Sequence, residues 1–149
     1  MTDGRCDILL VEDSPDDVKL MLRALRTIDG GPRVHVARDG AEALEFVFGT
    51  DRYAHLQPLR PPRLILLDLK LPLVTGIEVL RHLKSRARDR SIPVVVMTSS
   101  LLESDMRECY ELGVNSYLVK PVDFDQLIDI VPILVHYWLD LNQQPGQAF

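Results

Sequence analysis

The chain predicts an α/β fold, a doubly wound parallel sheet of five strands with five helices. Three observations carry this expectation. Short apolar runs alternate with helical patterns along the chain, the order found when crossover helices join parallel strands. Runs such as "LILL" and "VVVM" lack polar alternation, so their strands are covered on both faces. Polar residues gather just past the strands' carboxyl ends, where such sheets bind ligands.

Each element has its own justification. "DILLVE", Asp7 to Glu12, reads as the first strand. Ser14 is a helix cap, Pro15 takes the first helical position and acids fill the first turn. Val18, Met21, Leu22 and Leu25 then form one apolar helical face. "RVHVA" is the second strand and "DGAEALEFVF" a short helix. "RLILLD" is the third strand, followed by the helix "GIEVLRHLK" with Ile77, Leu80 and Leu83 inward. "IPVVVMT" is the fourth strand, followed by "LESDMRECYEL", a helix closed by Gly113. "SYLV" is a fifth short strand. "DFDQLIDIVPILVHYWLDL" is the last helix, which Pro132 should bend or restart.

Length and composition set bounds. The 149 residues fit one domain, with an apolar fraction of 46% and a charged fraction of 26%. A net charge of −5 does not favour a nucleic-acid-binding surface. No apolar run approaches a membrane span, and the acidic N-terminus is unlike a signal peptide. Cys6 and Cys109 lack metal-ligand spacing and read as reduced side chains of a cytoplasmic protein. Residues 49–63, with three prolines, read as an extended surface loop, and residues 142–149 as a flexible tail around a core of about 6–141.

The strand ends carry the chemistry. The first strand delivers Glu12 and Asp13, the third Asp68, the fourth Thr98 and Ser99, and Lys120 with Pro121 follows the fifth. Crowded carboxylates are relieved by protonation or by a hard divalent cation, here Mg²⁺. With the cation in place Asp68 can act as a nucleophile on phosphorus and form an acyl phosphate. Mg²⁺ and Lys120 would neutralise the phosphoryl oxygens, and the Thr98 hydroxyl would donate to one of them. Each residue alone has an ordinary explanation as a loop, cap or turn residue. Their joint placement at successive strand ends favours chemistry. The four histidines form no ligand pair.

The motifs "ILLVEDSPDD", "LILLDLKLP", "VTGIEVL", "VVVMTSS" and "GVNSYLVKPVD" stand in order over Cys6 to Leu141. Together they make the sequence resemble a receiver domain of a bacterial two-component response regulator. The resemblance implies a flavodoxin-like sheet of order 2-1-3-4-5, and phosphoryl transfer from a histidine kinase to Asp68. It implies Mg²⁺ held by Glu12, Asp13, Asp68 and the Lys70 backbone carbonyl. It also implies Thr98 and Lys120 as the phosphate-sensing pair, a cis Lys120–Pro121 peptide bond and Tyr117 as an aromatic switch. Lys70 and Ser100 match positions that tune acyl-phosphate lifetime. Such a chain is a phosphoacceptor that assists its own phosphorylation and dephosphorylation rather than an enzyme.

The chain ends about eight residues past the last helix, so a single domain without an output module is expected, with association carrying the signal. The last helix is apolar over more of its circumference than packing on one sheet face requires. A homodimer through Ile130, Ile133, Leu134, Tyr137, Trp138 and Leu141 is therefore expected, unless the 49–63 loop or the tail covers that surface. The loop and the "YWL" helix end also resemble the small receivers paired with phytochrome and bacteriophytochrome kinases. Two rivals remain. A Mg²⁺-dependent phosphohydrolase would want an acid two residues after Asp68, where Lys70 stands. A receiver-like dimeric interaction module without phosphotransfer would not need the full polar set.

Overall fold

The computed structural model describes residues 6–56 and 60–145. Five parallel strands lie in the order β2-β1-β3-β4-β5: β1 (Ile8–Val11), β2 (Val34–Ala37), β3 (Leu64–Leu67), β4 (Val94–Thr98) and β5 (Ser116–Val119). The helices are α1 (Pro15–Arg26), α2 (Gly40–Phe48), α3 (Gly76–Ser85), α4 (Glu103–Glu111) and α5 (Phe124–Val135). The expected doubly wound α/β fold is present.

Strand alternation creates two cores. Leu9, Val11, Ile65, Leu67, Val94 and Val96 face α2, α3 and α4. Ile8, Leu10, Leu64, Leu66, Val95 and Met97 face α1 and α5. β1, β3 and β4 are buried throughout, which is why they show no polar alternation. Ser14, Asp39, Thr75 and Asp123 cap α1, α2, α3 and α5 through their side chains. The start of α4 has no side-chain cap, and Cys109 is its one buried residue.

Three expectations need correction. The 49–63 segment is not extended throughout: Asp51–Leu56 forms a 3₁₀ helix, because Tyr53 packs back on the α2 core. Residues 57–59 of that loop lie outside the described residues, as do 146–149 of the tail. The last helix is not uniform either. α5 passes through Pro132 and gives way to a π-helical turn, His136–Leu141, with Asn142 N–H donating to the Tyr137 carbonyl at 2.7 Å. Finally, Leu134 is mostly core: it is buried between α1 and α5 and meets the surface only as part of the lining of a groove over β5, while Ile130 and Trp138 are partly buried beside it. Ile133, Tyr137 and Leu141 remain exposed. Among the described residues the loop and tail meet this region where Arg63 donates to the Leu139 carbonyl, Gln144 to the Arg63 carbonyl and Gln143 to the Leu141 carbonyl.

Candidate phosphoacceptor and cation site

Register places the acids side by side. Val11 pairs with Leu67 across β1 and β3, so Glu12 and Asp68 each stand one residue beyond a matched pair. Thr98 pairs with Val119, and Lys120 follows, its N–H donating to the Thr98 carbonyl at 2.8 Å. Alternation then sorts them. Glu12 and Asp68 continue the positions of Leu10 and Leu66 toward α1 and α5, whereas Thr98 continues those of Val94 and Val96 toward α3 and α4.

Glu12 and Asp68 are buried and Asp13 is exposed, and one ligand oxygen from each lies within 4.8 Å of the others. The Lys120 ammonium donates to Glu12 Oε1 at 2.5 Å, to Asp17 Oδ2 at 2.8 Å and to Asp68 Oδ2 at 3.1 Å. The Leu69 N–H holds Asp68 Oδ1 at 2.7 Å, and the Ser14 N–H reaches Glu12 Oε2 at 3.3 Å. The floor is apolar, with Leu10, Met21, Leu66 and Met97 lining the cavity that Glu12, Asp68 and Lys120 share. Burial therefore pushes the Glu12 carboxyl up to about 7, against the pull of Lys120. Burial also opposes the charge on Lys120, but hydrogen bonds to Asp17 and Glu12 outweigh it and hold its pKa above the ordinary lysine value. Three oxygen-donor carboxylates, one at the mouth, fit a hard divalent cation.

Pro121 lines the same cavity, whereas Thr98 and Tyr117 sit on the opposite side of the sheet. Thr98 is fully buried and its Oγ1 accepts from the Ser100 N–H at 3.3 Å. Among the described residues no hydrogen bond joins it to Asp68. Tyr117 Oη donates to the Ser100 carbonyl at 3.2 Å, and Ser100 Oγ donates to Asp105 Oδ2 at 2.6 Å. Ser100 thus ties Thr98, Tyr117 and the first turn of α4 together. Lys70 is exposed in the β3–α3 loop.

Gly76 sets the back of the site. A Cβ there would lie 2.2 Å from the Asp68 carbonyl oxygen and 2.6 Å from Leu69 Cα, so the start of α3 presses on the Asp68 backbone. Sequence reasoning missed Asp17 as a partner of Lys120 and Ser100 as a junction. An acid in a first helical turn has a sufficient explanation in the helix dipole. Only the spacing from Glu12 to Asp17, one cap and one turn, could have pointed to it.

The response regulator receiver domain family matches residues 8–132. The chain belongs to that family. This receiver is 42% identical over 141 residues to the probable methanogenesis regulatory protein FilR2 of Methanothrix harundinacea, covering 95% of this chain and 88% of that one. It is similar to the phosphorylated cyanobacterial phytochrome response regulator RcpA, with a TM-score of 0.87, 37% identity and coverage of 95% of this chain and 99% of that one. The Mn²⁺-bound form of response regulator Rcp1, known from Synechocystis sp., gives a TM-score of 0.85 at 37% identity, over 95% and 100% of the two chains. The receiver's acid cluster is thus of the divalent-cation type. Among the described residues no helix is long and apolar enough to cross a membrane.

Proposed function

We propose that this receiver takes a phosphoryl group from a histidine kinase onto Asp68 in a Mg²⁺-dependent reaction, and that protein association carries the signal onward. The observation behind this reading is the cluster itself: three carboxylate oxygens within 4.8 Å, with the Lys120 ammonium 3.1 Å from Asp68 Oδ2. Glu12, Asp13, Asp68 and the Lys70 carbonyl would hold Mg²⁺, which supplies charge neutralisation for the phosphoryl oxygens. Asp68 Oδ1 is tied to the Leu69 N–H, so Oδ2, beside Lys120, is the attacking oxygen. The new O–P bond replaces the P–N bond to the donor's imidazole, which keeps the electron pair. The three phosphoryl oxygens then draw the Thr98 hydroxyl inward. Through Ser100, that movement is passed to Tyr117 and to α4, the least secured helix.

The kinase is of the phytochrome type, by the likeness to the phytochrome response regulator RcpA. The chain acts as a single cytoplasmic receiver, dimerising through Ile133, Tyr137 and Leu141 with Ile130 and Trp138 beneath them. The test is intact mass after incubation with acetyl phosphate, with and without Mg²⁺, for the wild type and Asp68→Asn, with size-exclusion chromatography alongside. A phosphate gain seen only in the wild type with Mg²⁺, and a changed elution volume, are expected. The same gain in Asp68→Asn would place the phosphoacceptor elsewhere. Neither a gain nor beryllofluoride uptake would leave an interaction module.

A further inference from the structure

Lys120 is bonded to one carboxylate that the cation cluster does not contain. Its ammonium has three N–H donors, and Glu12, Asp17 and Asp68 take one each. Glu12 and Asp68 belong to the cluster that fits a cation, and Asp17 does not. A divalent cation on Glu12 and Asp68 competes with the ammonium for those carboxylates and repels it. Asp17 is then the acceptor that remains. We propose that Asp17 is a positioning residue for phosphorylation, keeping Lys120 at the mouth of the site while a cation occupies Glu12 and Asp68. The inference rests on the reading of Asp68 as phosphoacceptor.

The start of α1 fixes Asp17 in place for this. The Ser14 side chain caps α1 by accepting from the Asp17 N–H at 3.3 Å, and the Ser14 N–H donates to Glu12 Oε2 at 3.3 Å. Lys120 closes the ring by bonding the carboxylates of both Asp17 and Glu12. Two anchors of the ammonium are therefore held at a set separation by a helix cap. The Asp17 side chain is 41% exposed, against 6% for Glu12 and 8% for Asp68, so it bonds Lys120 while keeping contact with water that the other two lack. An acid in the first turn also favours the helix dipole, but that role does not pass through Lys120.

A double-mutant cycle separates the two. Mg²⁺ affinity by calorimetry and initial phosphoryl uptake from acetyl phosphate are measured for wild type, Asp17→Asn, Lys120→Met and the double variant. Asp17→Asn should weaken Mg²⁺ binding and slow uptake, each by about fivefold in the wild-type background and by less than about twofold in Lys120→Met. Asp17→Glu should retain most of the wild-type rate. Equal losses in both backgrounds would assign Asp17 to helix stability or bulk charge and overturn the proposal, as would no loss in the wild type. If Asp68→Asn takes up phosphate as the wild type does, the phosphoacceptor reading fails, while the Mg²⁺ arm of the cycle still decides the role of Asp17.

Discussion

Leu73 occupies left-handed backbone at φ 67°, the residue 82% exposed, five residues after Asp68. An L-residue with a bulky side chain loses about 1–2 kcal/mol in that conformation, and here no burial offsets the loss. Glycine accepts the same φ but has more chain entropy to lose, about 0.5–1 kcal/mol. Leu73→Gly should therefore raise stability by up to about 1 kcal/mol, read as a higher denaturation midpoint at unchanged slope. A lower midpoint would mean that the leucine packs in solution. Gly76, three residues on, is the opposite case. Its space is filled by the Asp68 and Leu69 backbone, so the residue type is fixed by contact rather than by φ. Single residues were legible where chemistry and position coincided. Glu12, Asp68 and Lys120 announce themselves because charge at the end of an apolar strand is costly without a partner. Asp17 does not, because its place in a first helical turn is already accounted for.

At the level of elements, the strands and helices follow from apolar patterning, and the departures come from long-range packing. The 3₁₀ helix Asp51–Leu56 is the clearest case, since nothing in a proline-bearing loop identifies Tyr53 as a core residue. Its ring packs edge-on against His35 of β2 and Phe46 of α2, while His35 stacks on Phe46 at 4.1 Å. The Tyr53 hydroxyl donates to Glu42 at 2.6 Å, so His35 Nε2, 2.9 Å from that oxygen, must be the donor to it. Burial holds the His35 pKa below its ordinary 6.5, only partly opposed by the charge of Glu42. The unfolded chain therefore takes up a proton near pH 6.5 that the folded chain refuses until lower pH. Stability from this site is complete above pH 6.5 and is lost as pH falls. Glu12 has the opposite sign between about 7 and 4.5, because its folded-state pKa is raised, so the total curve mixes the two. Comparison with His35→Phe, which keeps the stack and removes the titration, isolates the histidine. Between pH 8 and 5.5 the wild type should lose melting temperature relative to His35→Phe. Parallel curves would show that His35 accepts its proton as easily folded as unfolded.

For the whole molecule, the two faces of the sheet divide the work. The face toward α1 and α5 receives Glu12, Asp68 and Lys120, and the face toward α3 and α4 receives Thr98 and Tyr117. The carboxylate cluster lies on one side and the linkage to α4 on the other, joined through the strand ends. Strand alternation in the sequence already encodes that split, but it becomes readable only when register shows which residues stand level. The outer surface of α5 needed the structure for the same reason. A count of apolar residues cannot separate Ile133, 71% exposed, from its neighbour Leu134, 8% exposed, because a helix turns by about 100° per residue. That pair gives the test of association. Ile133, Tyr137 and Trp138 line a shallow groove between β5 and α5 with Leu118 and Ile130, an apolar surface that a second copy would cover. Ile133→Glu should leave the melting temperature near that of the wild type, since an exposed site changes stability by about 0.5 kcal/mol or less. It should weaken self-association by about 2 kcal/mol, roughly thirtyfold in the dissociation constant, if the side chain is central to the interface. Leu134→Glu should instead unfold the chain, because the carboxylate would enter the core shared by α1 and α5. Sedimentation equilibrium of folded Ile133→Glu against the wild type, each with and without acetyl phosphate, decides the matter: equal association of the two proteins in both conditions would move the interface off α5.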